Sequence, residues 1–250
     1  MTDRGLDILR DGDVLQVTLA RPDRRNAFDD ALIAALSDAF ANVGDARCVV
    51  LAGQGQSFCA GADVEWQRAS IDLSLDENIE DAMRLYRMLE AVDACPAPVV
   101  ARVQGYALGG GSGLVSCCDI AIAAPDAVFG YSEVRLGIIP AVISPFVLPR
   151  IGAGAARRYF LTGERFDAET ALRIGLVHDV ADDLDGAVAA VVEALLQGGP
   201  EAVRAAKRLV REQPMGDATA QIAARRRTSD EGQDGLRAFL EKRPPRWLSS

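Results

Sequence analysis

One histidine, His178, serves the whole 250-residue chain. A lone imidazole cannot build a zinc site of the usual kinds, and with no nucleophile motif beside it, it completes no catalytic triad. Other chemistries are missing their signatures too: the chain has no G-x-S-x-G elbow, no H-E-x-x-H, no C-x-x-C and no G-x-x-x-x-G-K-[ST] phosphate loop. A metal is not expected. The five cysteines are odd in number and include the adjacent pair Cys117 and Cys118, so they outline no disulfide framework and fit a reducing, cytoplasmic setting. On an apolar helix such a pair reads as small core residues. No apolar run reaches membrane-spanning length, and no signal peptide is visible. Basic residues are outnumbered, 27 against 36 acidic, and the net charge of −9 argues against nucleic acid or an anionic membrane as partner. The basic groups Arg225, Arg226 and Arg227, and Lys242 with Arg243, sit among acids at helical spacing, as on a solvated or intersubunit face.

What is present is ample core material, 49% hydrophobic residues with 25% charged, enough to bury one full core. Residues 6–21 form two alternating apolar runs around Asp11, Gly12 and Asp13, a hairpin signal. The spacing predicts a helix over 28–43, a buried strand over 48–52, and a long helix within 66–92 that Pro96 and Pro98 stop. Strands follow at 99–103 and 120–124, with another beginning at Val128 and Phe129. Further helices are expected at 153–162, at 168–172 with Gly175 as its C-cap, and at 184–196. Strands alternating with helices imply an α/β fold with right-handed crossovers. Gly198, Gly199 and Pro200 mark the best boundary, dividing a core at 1–197 from a helical region at 198–250 with helices over 201–212 and 218–240. That region is rich in arginine and poor in large apolar residues, so it is expected to pack on the body or on another subunit.

The chemistry gathers in residues 104–140. Gly105, Gly109, Gly110, Gly111 and Gly113 precede a short helical run from Leu114 to Cys118. Glycines at a helix start leave backbone N–H groups uncovered, so an electronegative atom can approach closely; the same glycines would also serve tight loop packing. A second small-residue turn, Ala60, Gly61 and Ala62, follows the strand at 48–52. Glu133 is an isolated carboxylate downstream of the glycines. Two N–H donors and one carboxylate are what enolate chemistry requires.

At these residues the chain resembles the enoyl-CoA hydratase/isomerase, or crotonase, superfamily. The likeness runs through RPDRRNAF, SFCAGADV, PAPVVARVQGYALGGG, CCDIAIA, SEVRLGIIP, FDAETALRIGLV, PEAVRAAKRLV and EGQDGLRAFLEKRPPRW, nearly the whole chain in order. The resemblance implies a spiral of ββα turns with a C-terminal helical trimerisation region, and a homotrimer or a hexamer made of two trimers. It implies an acyl-CoA thioester as substrate, with no separate cofactor because coenzyme A arrives as part of that substrate. By the same resemblance, the N–H groups of Ala62 and Gly110 bind the thioester oxygen and Glu133 is the acid–base. Arg24, Arg25, Ala60, Ala62 and Lys242 match the coenzyme A contacts, and residues 64–79, the least family-like stretch, are expected to line the acyl pocket.

Gly113 stands where two-glutamate hydratases of the family carry their second acid. Isomerases that move a 3-enoyl bond to the 2 position often work with the single glutamate that Glu133 matches. The text GLVSCCDIAIA and EVRLGIIPAVISPFVLPRIG is similar to the branch of methylglutaconyl-CoA and isohexenylglutaconyl-CoA hydratases, whose substrates bear a second carboxylate. Hydration of a 2-enoyl-CoA, with a branched dicarboxylic chain as one form, is the leading expectation. Isomerisation of a 3-enoyl-CoA comes second, and a CoA-binding scaffold without turnover third.

Overall fold

The computed structural model describes residues 5–248. Strands β1 (Leu6–Asp11) and β2 (Val14–Leu19) form the expected antiparallel hairpin, in register from Leu6 opposite Leu19 to Asp11 opposite Val14. A one-turn helix at Pro22–Arg24 then leads into Arg25 and Asn26, both left-handed with φ of 52° and 55°. The expected helix over 28–43 begins later, as α1 (Asp30–Ala41), because Phe28 is extended and bridges Ala62; the Asp29 carboxylate caps α1 by accepting the Leu32 N–H. After β3 (Cys48–Gly53), the helix expected within 66–92 is two helices, α2 (Val64–Ala69) and α3 (Leu75–Asp93). Ser74 separates them and starts α3 with a capping box to Glu77.

The middle of the chain steps between two sheets. β4 (Val99–Val103) joins the first sheet, β5 (Tyr106–Leu108) opens the second, and α4 (Gly110–Cys117) leads to β6 (Ile120–Ala123), back in the first. β7 (Val128–Gly130) returns to the second sheet. Next comes α5 (Ser144–Thr162), interrupted at Gly152, whose φ of 70° and ψ of 162° leave the second half as the expected 153–162 segment. β8 (Arg165–Asp167), α6 (Ala168–Arg173), β9 (Asp179–Val180) and α7 (Leu184–Gln197) complete the body. The larger sheet runs β1-β2-β3-β4-β6-β9, parallel from β2 onward, and the smaller runs β5-β7-β8. This alternation produces the spiral.

Parallel strands covered on both faces read as continuous apolar runs, which is how β3 and β4 were legible. On one face Val49, Leu51, Val99 and Ala101 pack with Leu32 and Leu36 of α1 and with Met88 and Leu89 of α3. On the other, Cys48, Val100 and Ile122 meet Leu184 and Val188 of α7. The tail holds α8 (Pro200–Glu212), α9 (Asp217–Thr228) and α10 (Asp230–Glu241). The single helix expected over 218–240 breaks at Ser229, an extended residue that caps α10 through the Gly232 N–H. Helix α8 is tied to the body by Lys207, which reaches the Asp119 carboxylate at 2.7 Å and the Ala97 carbonyl at 3.1 Å. Among the described residues no helix is long and apolar enough to cross a membrane.

Asn26 holds the first loop in place. Wholly buried, its Oδ1 accepts the Arg21 N–H at 2.9 Å and its Nδ2 donates to the carbonyls of Gln54 and Ser57 at 2.9 and 2.8 Å. Asn26→Ala leaves these groups unpaired in the interior and is expected to remove about 2–4 kcal/mol of stability. Calorimetry should show a melting temperature lower by roughly 5–10 °C; an unchanged value would mean that water replaces the side chain.

Candidate active site

The site begins with two turns joined through their backbones. Residues 57–63 lie along β5 and the start of α4: the Cys59 N–H donates to the Tyr106 carbonyl at 2.9 Å, and the Leu108 N–H donates to the Cys59 carbonyl at 3.0 Å. The first turn is held on its other side by Phe28, whose N–H donates to Gly61 at 2.7 Å and whose carbonyl accepts from Asp63 at 2.8 Å. This contact tolerates no side chains. A Cβ at Gly111 would stand 2.2 Å from the Cys59 carbonyl oxygen, and one at Gly61 would stand 2.8 Å from the Leu108 carbonyl oxygen.

The pairing consumes several of the neighbouring amides and leaves others uncommitted. The N–H groups of Ala60 and Asp63 are bonded to carbonyls, as is that of Gly109, whereas those of Ala62 and Gly110 donate to no acceptor among the described residues. Gly110 is the first residue of α4, where the helix supplies no partner and its dipole favours negative charge. Within the glycine cluster, Gly111 and Gly113 permit packing, and Gly110 leaves its N–H uncommitted.

Glu133 faces this turn. It starts a short helical turn, Glu133–Leu136, after β7, and its Oε1 would lie 3.1 Å from a Cβ placed on Gly109. Oε2 is buried without a hydrogen-bond partner. Burial raises the Glu133 carboxyl above its ordinary range, and the bond from its own backbone N–H offsets this only in part. A partly desolvated carboxylate with a free oxygen is suited to accept and return a proton. The place of a second acid is closed: a Cβ on Gly113 would come within 2.4 Å of the Ile143 Cγ2.

These groups open on a cleft of about 520 Å³. Phe28, Leu108, Ile138, Ile139 and Ile143 supply apolar lining, and α2 and α3 form the wall with Trp66, Gln67, Ser70, Asn78 and Asp81. Residues 64–79 thus reach the cleft as expected, and α3 carries the lining on to Leu85. Ala60, Ala62 and Arg25 also line it. Arg24 does not; its guanidinium is engaged by Asp63 at 3.1 Å, the same carboxylate that caps α2 through the Glu65 N–H. Arg25 instead lies over the Tyr106 ring, 5.5 Å from its centroid, and Arg165 of β8 lies 5.4 Å from the same ring. Neither has a carboxylate partner among the described residues, and a second cleft of about 710 Å³ continues past Arg25 and Tyr106. Arg165 escaped sequence reading because nothing in its own strand points to Tyr106. Lys242, exposed at the C-terminal cap of α10, does not line the cleft of its own chain.

The remaining sequence candidates sit elsewhere. His178 accepts the Ala121 N–H through Nδ1 at 3.0 Å, tying its segment to β6. All five cysteines are buried and unpaired, with burial pushing the Cys59 and Cys118 thiols up to about 12.

Residues 10–250 match the family model described as Enoyl-CoA hydratase/isomerase. The fold is similar to a crystal structure of an enoyl-CoA hydratase from Shewanella pealeana, 40% identical with a TM-score of 0.93, covering 99% of this chain and 100% of that one. It is similar to AtuE of Pseudomonas aeruginosa, 38% identical with a TM-score of 0.94 over 97% of this chain and 99% of that one. An enoyl-CoA hydratase from Mycobacterium smegmatis is 33% identical with a TM-score of 0.92, over 98% and 99% of the respective chains.

The raised Glu133 pKa has a definite sign in the stability. A carboxyl whose folded pKa lies above its unfolded one stabilises the protein fully below the unfolded value, near 4.5, and loses that contribution as pH rises through the folded value. The melting temperature of Glu133→Gln minus that of the parent should therefore increase with pH from about 4.5 upward and then level off. A difference independent of pH would mean that burial does not strain this carboxylate.

Proposed function

Because this chain belongs to the enoyl-CoA hydratase/isomerase family, we propose that it hydrates a 2-enoyl-CoA with one carboxylate, Glu133, as both base and acid. The observation that carries the reading is Glu133, with Oε1 beside Gly109 and Oε2 without a hydrogen-bond partner, next to a turn whose Ala62 and Gly110 N–H groups are uncommitted. The thioester oxygen sits between those donors, which stabilise the enolate charge as it develops, helped by the N-terminus of α4. Glu133 takes a proton from water as its oxygen bonds to C3, and returns that proton to C2. The carboxylate is regenerated, and the net change is addition of water across the double bond.

One feature favours a second reading, isomerisation of a 3-enoyl-CoA. Ile143 fills the place of a second acid, so a water in the site has only Glu133 to hold it. The same carboxylate can remove a proton from C2 and return it to C4, with no water involved. The coenzyme A arm is assigned to Arg25 and Arg165, which lack carboxylate partners, while Arg24 acts through Asp63 in holding the turn. Lys242 reaches a coenzyme A phosphate only if another copy of the chain brings it there.

A panel of 2-enoyl- and 3-enoyl-CoA thioesters, with products identified by mass and NMR, separates the readings. Hydration adds the mass of water, whereas isomerisation moves the double bond at constant mass. On whichever substrate turns over, Glu133→Gln should lower kcat on the order of 10²–10⁴-fold with thioester affinity nearly unchanged. Wild-type turnover in that variant would remove Glu133 from the mechanism.

The exposed faces of the tail suit assembly into a homotrimer or a pair of trimers: Val210, Phe239 and Leu240 are 75%, 81% and 77% exposed in the single chain. Light scattering should give a threefold or sixfold multiple of the 26.6 kDa chain. A stable monomer at micromolar concentration would reject this assembly.

A further inference from the structure

Helix α3 carries one continuous inward stripe: Asn78, Asp81, Ala82, Leu85, Met88, Leu89 and Val92, spaced by three or four residues. Its second half is apolar and packs in the core. Its first half lines the cleft, and there the most buried position holds an acid, Asp81, only 8% exposed. Desolvating a carboxylate is costly, and an apolar residue would serve packing better. Asp81 Oδ1 accepts from Arg84 at 2.6 Å, an arginine that is itself 45% exposed and shared with Asp30 at 3.2 Å. Oδ2 makes no hydrogen bond among the described residues.

Two donors beside it, those of Asn78 and Ser70, are turned away from the cleft. The Asn78 amide nitrogen closes the 70–74 loop by donating to the carbonyls of Leu73 and Ser74 at 3.0 and 3.1 Å, which leaves Oδ1 as its free group. The Ser70 hydroxyl donates to the Gln67 carbonyl at 2.8 Å. What α3 offers the cleft is therefore a pair of acceptors, in a lining that also includes the apolar Ile138, Ile139 and Val142.

Building on the acyl-CoA reading above, we propose that the α3 wall selects acyl chains bearing a hydrogen-bond donor beyond the reacting carbons, a hydroxyl being the simplest, with Asp81 as its acceptor. A plain alkyl chain would strip water from Asp81 and return nothing, whereas a hydroxyl replaces the lost water. A second carboxylate on the chain would meet like charge. The dicarboxylic chain anticipated from the resemblance thus finds an acid on this wall where it needs a base; Arg25 and Arg165, which line the same cleft, lie over Tyr106 of β5.

Three matched thioesters test this: 2-hexenoyl-CoA, 6-hydroxy-2-hexenoyl-CoA and the mono-CoA ester of 2-hexenedioic acid, each with its eight-carbon homologue. In the parent protein kcat/KM should fall in the order hydroxyl, alkyl, carboxylate, with steps of about tenfold. Asp81→Leu should reverse the first two and narrow the gap to the third. Asp81→Asn, which keeps the shape and an acceptor oxygen, should retain the hydroxyl preference while losing discrimination against the carboxylate, and serves if the leucine variant does not fold. Calorimetry with the saturated analogues makes the same comparison without turnover. If no ester reacts but the hydroxyl analogue binds about tenfold tighter than the alkyl one, the selection stands and the hydratase reading falls. Equal binding and equal turnover of all three chain types at both lengths would overturn the role of Asp81.

Discussion

The site depends on one close backbone approach, between the turn at 57–63 and the strand-to-helix junction at 105–111. Gly111 against the Cys59 carbonyl and Gly61 against the Leu108 carbonyl leave no room for a Cβ. That proximity pairs the neighbouring amides and leaves Ala62 and Gly110 with nothing to donate to. The Asn26 side chain and the Phe28 backbone hold the outer side of the first turn, and Asp63 fastens its end to Arg21 and Arg24. The residues that look purely structural are thus the ones that set the geometry of the donors. Preorganised donors of this kind cost little reorganisation when charge develops between them.

Against this rigid pair the structure sets a strained group. Glu133 keeps one oxygen buried without a partner, and burial disfavours its charge. A carboxylate kept hungry for a proton is a better base than one satisfied by solvent or by an arginine. Arg24 illustrates the alternative, since Asp63 holds it and thereby removes it from the cleft. Charge neutralisation is used for architecture at that edge, whereas no cation among the described residues offsets the charge at Glu133.

The two walls of the cleft divide the remaining work. The loop at Arg25 and strand β8 bring Arg25 and Arg165 together over Tyr106 of β5, a cationic edge next to the second cleft. Helix α3 presents Asp81 and Asn78 on the other side. A ligand with an anionic arm and a reacting carbonyl has one orientation that satisfies both edges, with its arm toward the arginines.

Much of this was legible in the chain itself, for identifiable reasons. The hairpin, the parallel strands and the first helices follow from local periodicity and turn residues, and Glu133 with the two small-residue turns follows from the rarity of such groups in an apolar context. Local patterns also misled: Phe28 has helical spacing yet is extended, because its backbone pairs with residues 61–63, and the 218–240 helix breaks where Ser229 caps its second half. Pairings between segments distant in sequence had no local sign. Arg165 meets Tyr106, Ile143 closes the space at Gly113, and Asp81 turns an acid into the cleft only because the spiral brings α3, α4, β5 and β8 to one place. The sequence by itself determined most of the elements and the two small-residue turns; the tertiary structure alone decided which charges stay unpaired around them, since pairing depends on distances that close only in the folded chain.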